Sequence, residues 1–87
     1  MIPRKWKYVV IEEPNAGLPM PIVFPEPVPH SHVAKLGRNG KVLSAGFCEF
    51  DPHAATAKAY GESVGLGVKS NPPVDEQLLR MWFLGAY

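Results

Sequence analysis

The distribution of proline and glycine restricts the fold of this chain more than any other sequence feature. Ten prolines and eight glycines occur in 87 residues, and five of the prolines lie between positions 19 and 29. Both residue types disfavour helix interiors, and proline also lacks a main-chain donor. The chain therefore has little helix with which to bury apolar area, and a single core of this size is thin. Association with itself or with a partner would supplement that core.

Residues 5–13 predict the first strand, because they are dense in β-branched and aromatic side chains. Successive side chains of a strand point to opposite faces. Alternation along this run puts Tyr8 on one face, and Val9 and Ile11 on the other. Both faces of the strand therefore carry apolar side chains, and both are expected to be covered.

The proline-rich segment 18–29 predicts a second, short strand. Its apolar run is Ile22-Val23-Phe24, and the prolines on both sides place it at a sheet edge, where the missing donors are tolerated. The alternative is a polyproline II ligand for the aromatic groove of a partner. The lack of an adjacent basic residue argues against that alternative. Together with the first strand, the segment is expected to form a hairpin around a turn at residues 14–17.

A short helix and two further strands follow in the sequence. Residues 30–36 fit one or two helical turns that end at Gly37, and an Asn-Gly turn leads into a third strand at 42–51. The alternation at 56–68 predicts a fourth strand. Its three glycines indicate a bulge or the close approach of another part of the chain.

The C-terminal segment carries the clearest helix signal. Asn71 precedes two prolines, the acidic Asp75 and Glu76 complement the helix dipole in the first turn, and Gly85 ends the helix. Apolar side chains cover most of its circumference: Val74, Leu78, Leu79, Met81, Trp82 and Phe83. In so small a domain, such a helix is expected to contact another chain.

The predicted order is thus ββαββα over residues 1–87. The fold class is a single small α+β domain, with a four-stranded antiparallel sheet on which a short helix and a C-terminal helix pack. The residues predicted to bind a partner lie on the edge strand and at the C-terminal end: Ile22, Phe24, Leu79, Trp82, Phe83 and Tyr87.

Charge and cysteine content narrow the class of protein. The net charge is +1, from nine basic and eight acidic residues, whereas nucleic-acid binders carry a clustered basic excess. The densest basic cluster is Arg4, Lys5 and Lys7 around Trp6, which is interpreted as a solvated strand face. The single cysteine excludes an intramolecular disulfide and favours a reducing compartment. No signal peptide or membrane-spanning run is recognisable, so a cytoplasmic location is expected.

Three sequence features that could indicate a metal site, a catalytic nucleophile or a phosphate-binding loop are better explained as ordinary structural residues. His30, His32, Cys48 and His53 are zinc-ligand types, but they lack the paired spacing of a structural zinc site. A nucleophilic Cys48 with His53 and Asp51 would need an oxyanion hole and a cleft, and its strand position predicts a buried, inert thiol. The glycine-rich run 61–70 lacks a glycine directly before its lysine, which a phosphate-binding loop requires. No catalytic residue, cofactor or metal is predicted.

Three segments of the chain resemble small uncharacterised proteins encoded in bacteriophages and prophages: Pro29-His30-Ser31-His32-Val33-Ala34, Ser44-Ala45-Gly46-Phe47, and the run from Tyr60 to Ser70. The resemblance carries no established activity, so no catalytic residue is transferred. It implies a phage protein that acts in the bacterial cytoplasm. Such a protein would bind a host or phage protein without being an enzyme, for example as an inhibitor of a host defence system such as an anti-CRISPR. The alternative is a self-associating structural or assembly component of the phage.

Overall fold

A four-stranded antiparallel sheet forms the centre of the fold, as the sequence predicts. The computed structural model describes residues 5–12, 19–34 and 41–85. The α+β class and the two helices at their predicted places in the chain are confirmed. The elements, in chain order, are β1 (Trp6–Glu12), β2 (Met20–Pro25), α1 (His30–Ala34), β3 (Lys41–Asp51), β4 (Thr56–Tyr60), β5 (Glu62–Ser63), β6 (Val68–Lys69), α2 (Pro72–Leu79) and a π-helical turn (Arg80–Leu84).

The strands of the main sheet lie in the order β2-β1-β3-β4. β1 pairs antiparallel with both β2 and β3, so the most apolar strand is central. The predicted edge position of β2 is confirmed, and its Pro21 and Pro25 are accommodated there because an edge strand needs donors on one side only. β4 forms the opposite edge.

Both faces of the sheet are covered, which confirms the expectation from the alternation in β1. On what we call the α2 face, a core cluster lies beneath helix α2: Tyr8, Val10, Cys48, Ala57, Ala59 and Leu79. On the opposite α1 face, a second cluster lies beneath α1 and the β5–β6 hairpin: Val9, Ile11, Phe24, Val33 and Ala45. The sheet therefore separates two small cores instead of covering one.

A bulge in β3 changes the predicted alternation of that strand. Val10 of β1 pairs with Ser44, whereas the next residue, Ile11, pairs with Val42, so Leu43 is the extra residue. Simple alternation predicts that Val42 and Ser44 share a face. Instead, Val42 packs against the α1-face cluster and Ser44 lies on the α2 face.

The predicted fourth strand at 56–68 is shorter than the sequence pattern indicates. β4 ends at Tyr60, and Gly61 adopts a φ of 77°, which ends the extended conformation at a residue without a Cβ atom. The following residues turn back as the β5–β6 hairpin, whose turn includes Gly67 at a φ of 66°. The hairpin packs Leu66 and Val68 on the α1 face.

The buried side of α2 differs from the predicted apolar stripe. Its buried residues are Asp75 and Leu79, whereas Val74 is exposed. After Leu79 the helix widens into the π-helical turn, and Gly85 ends it with a left-handed φ of 65°. No helix in the described ranges is long and apolar enough to cross a membrane. The predicted turns at 14–17 and 38–40, Leu36 and Tyr87 lie outside the described residues.

Candidate functional site

The π-helical turn presents two large aromatic side chains to solvent. Trp82 and Phe83 are 52% and 49% exposed, and the Phe83 ring lies 5.8 Å from that of Phe50 on β3. We call Phe50, Trp82 and Phe83 the aromatic surface. Aromatic side chains left this exposed on a small domain are typical of protein interfaces.

The six residues predicted to bind a partner do not lie on one surface. Phe24 and Leu79 are buried in the cores of opposite faces, and the half-buried Ile22 packs against the α1-face cluster. Tyr87 is outside the described residues. The exposed members of the predicted set are therefore Trp82 and Phe83.

A buried carboxylate anchors α2 to the sheet, and sequence reasoning missed it. Asp75 is 1% exposed and accepts hydrogen bonds from the Tyr8 hydroxyl, from Ser44 Oγ at 2.8 Å and from the Asn71 main-chain N–H at 2.8 Å. Burial and the Asp75 carboxylate raise the pKa of Tyr8. The available signal was Ser44, a polar residue on the otherwise apolar α2 face.

The outer edge of β4 is closed by another side chain of α2. Glu76 Oε2 accepts the Ala59 main-chain N–H at 2.8 Å. The carboxylate thus takes the place of a neighbouring strand at that donor, which protects an edge that could otherwise pair with another chain.

A cleft of about 580 Å³ opens on the α1 face. One wall is the start of α1, with His30 and Ser31, and the other is formed by residues 61–65. Lys7 and Phe47 of the main sheet also line it. Its volume lies within the range of roughly 300–1,000 Å³ that ligand sites occupy.

His30 is built into the wall of this cleft. The residue is 7% exposed, and its ring packs edge-on against Phe24 and Phe47, at centroid distances of 5.3 and 5.9 Å. Nε2 lies 2.9 Å from the Gly46 carbonyl oxygen; a carbonyl can only accept, so Nε2 carries the proton. Burial lowers the pKa of His30, the Gly46 carbonyl opposes this, and nearby Lys7 lowers the pKa further. The ring is therefore neutral near pH 7, and Nδ1 is an acceptor.

Neither the candidate zinc-ligand set nor the candidate Cys48 nucleophile set comes together as a site. The predicted burial of Cys48 is confirmed; burial raises the pKa of its thiol to about 12. His53 is exposed and lies in a turn, where Asp51 accepts hydrogen bonds from the main-chain N–H groups of His53 and Ala54. Cys48 lies on the α2 face and His30 on the α1 face, and no set of three His, Cys, Asp or Glu side chains within the described ranges could hold a metal ion.

The two lysines of the N-terminal basic cluster, both within the described residues, contact other groups of the protein. Lys5 pairs with Glu26 at 3.4 Å and lies 4.2 Å above the Phe47 ring, while Lys7 Nζ donates to the Val28 carbonyl at 2.9 Å. Arg4 lies outside the described residues. The acidic partner of Lys5 reduces the attraction that this strand face would have for a phosphate backbone.

No protein-family model matches the chain, and no curated protein or solved structure does either. The candidate surfaces are therefore defined by their own geometry.

Proposed function

We propose that the protein acts by binding another protein through the aromatic surface. The observation that carries this proposal is the exposure of the consecutive residues Trp82 and Phe83, with the Phe83 ring packed against Phe50. Tryptophan is the residue type most enriched among those that dominate binding energy at interfaces. Both side chains are carried by the π-helical turn, whose backbone is already ordered. Binding would therefore cost little main-chain conformational entropy.

The sequence resemblance supports a more specific form of this function. A phage protein without enzymatic activity that acts in the bacterial cytoplasm would bind a host or phage protein there, and inhibition of a host defence system, as by an anti-CRISPR, is one such role. This specific role is supported by the resemblance alone, whereas the aromatic surface supports the binding function.

Affinity capture from a bacterial lysate tests the binding function, with Trp82→Ala compared against Leu43→Ala. Leu43 is also exposed but lies at the bulge in β3, away from the aromatic surface and the cleft, so it is an apolar control. We expect Trp82→Ala to weaken binding of the captured partner by about 30-fold, which corresponds to a loss of about 2 kcal/mol. Leu43→Ala should bind as the wild type does. Equal capture by all three proteins would refute the aromatic surface as the binding site.

Sedimentation velocity distinguishes binding to another protein from self-association. A sedimentation coefficient that does not change with concentration supports a heteromeric partner. A concentration-dependent dimer that Trp82→Ala abolishes would instead favour the structural or assembly role.

A further inference from the structure

One wall of the α1-face cleft carries main-chain N–H and C=O groups that form no hydrogen bond with β6. Ser70 N–H donates to the Gly61 carbonyl at 3.0 Å, and the next pairs of the hairpin are Glu62 with Lys69 and Ser63 with Val68. Hydrogen-bonded and non-hydrogen-bonded pairs alternate along an antiparallel ladder. Glu62 is therefore at a non-hydrogen-bonded position, and its N–H and C=O point away from β6. Residues 61–65 line the cleft, so this outer edge of β5 faces it.

Two buried polar side chains in the cleft also retain hydrogen-bonding capacity. Ser63 is 3% exposed; its Oγ accepts the Leu66 N–H at 3.3 Å, and its own proton is not committed to a described residue. His30 donates through Nε2, which leaves Nδ1 as an acceptor. No described residue donates a hydrogen bond to Nδ1, and His30 is one of the residues that line the cleft.

We propose that the cleft binds an extended peptide segment of a partner protein, which pairs with the main chain at Glu62 as an added strand. One residue of an extended peptide presents its N–H and C=O to the same side, which matches the donor and acceptor of Glu62. Ser31, Ser63 and His30 meet the remaining polar groups of the peptide. Phe47 and Pro29 contact its side chains.

This site rests on the proposed protein-binding function but uses a different surface. The aromatic surface belongs to the π-helical turn that follows α2, whereas the cleft lies on the α1 face. Either site can therefore fail without the other, and Trp82→Ala should leave peptide binding at the cleft unchanged.

The test is titration of the ¹⁵N-labelled protein with the capped tetrapeptide N-acetyl-Ala-Val-Ala-Ala-amide, followed by NMR. We expect saturable shifts at the Glu62 amide and the His30 ring, with at least about tenfold slower exchange of the Glu62 amide at saturation. The same peptide methylated at its central amide nitrogens cannot donate and should bind at least about tenfold more weakly. This comparison uses the wild-type protein and needs no variant to fold.

Two substitutions of Glu62 separate the contribution of its main-chain N–H to peptide binding from that of its side chain. Glu62→Ala keeps the main-chain donor and should bind the tetrapeptide within about twofold of the wild type, whereas Glu62→Pro removes the donor and should abolish binding. The proposal is wrong if the Glu62 and His30 signals do not move at about 20 mM peptide. That concentration is high enough to detect binding with a dissociation constant in the millimolar range. Equal binding of the methylated and unmethylated peptides would overturn it as well.

Discussion

The two faces of the sheet bury polar groups in different ways. On the α2 face, the Asp75 carboxylate is surrounded by three donors that meet it directly: Tyr8, Ser44 and the Asn71 N–H. On the α1 face, His30 and Ser63 are nearly as buried, yet each uses only part of its hydrogen-bonding capacity. A fully satisfied polar cluster holds elements together, whereas a partly satisfied one beside a cleft is suited to a ligand. The buried polar groups of the α2 face thus hold helix and sheet together, whereas those beside the α1-face cleft are the ones that the proposed peptide site would use.

Loss of the Asp75 carboxylate should have the largest effect on stability. Asp75→Ala leaves two hydroxyls and a main-chain N–H without their acceptor, and we expect the free energy of unfolding to fall by about 3 kcal/mol. Urea denaturation followed by circular dichroism measures the change. The control is Ser63→Ala on the α1 face, a buried polar residue whose hydroxyl accepts one hydrogen bond from the Leu66 N–H, and it should lower stability by only about 1 kcal/mol. Equal losses for the two variants would contradict the division between the faces.

A substitution at Gly46 tests the close packing where the chain passes from the α1 face, at Val68, to the α2 face, at Asp75. A Cβ atom at Gly46 would lie 2.5 Å from the Tyr60 carbonyl oxygen and 3.3 Å from Ser70 Cβ. Gly46→Ala should therefore destabilise the protein by about 2 kcal/mol. At Gly65, beside the cleft, an added Cβ atom meets nothing within 4 Å, so Gly65→Ala should be neutral or stabilise by up to about 1 kcal/mol. Thermal unfolding of the pair checks both, and a larger loss at Gly65 would refute this reasoning.

Glu76 tests whether α2 also protects the sheet edge. Glu76→Ala removes the acceptor of the Ala59 N–H, and we expect a loss of about 1 kcal/mol in stability together with faster hydrogen exchange at Ala59. Glu76→Gln keeps a side-chain oxygen and should preserve most of the protection. Unchanged exchange at Ala59 in Glu76→Ala would show that the edge is closed by another group.

His30 should give the smallest effect, as a dependence of stability on pH. Its pKa in the folded protein is lowered below the ordinary value of 6.5, so the unfolded chain binds a proton more readily. The stability due to neutral His30 is thus fully present above pH 6.5 and is lost as the pH falls through the folded-state pKa. His30→Gln, which cannot titrate, should lose less stability than the wild type between pH 7 and pH 5 in urea denaturation. Parallel pH profiles would contradict a buried neutral ring.

Much of the fold follows from local sequence patterns, whereas the candidate sites follow only in part. Dense β-branched residues predict β1, prolines predict the edge position of β2, and the proline start and Gly85 predict the limits of the last helix. The exposure of Trp82 and Phe83 agrees with the excess of apolar residues on that helix. The cleft had no sequence signal, because it is formed by the start of α1 and a hairpin about thirty residues later.

By itself, the sequence determined the class of fold, the edge position of β2, and a terminal helix with more apolar surface than one core can bury. The tertiary structure alone decided which side of that helix is buried. Hydrophobic periodicity assigns Asp75 to solvent, but its partners Ser44 and Tyr8 lie 31 and 67 positions earlier in the chain. The bulge at Leu43 and the turn at Gly61 likewise depend on strand pairing and a left-handed backbone. Interactions between distant segments provide the hydrogen bonds of this buried carboxyl group, and no local pattern encodes them.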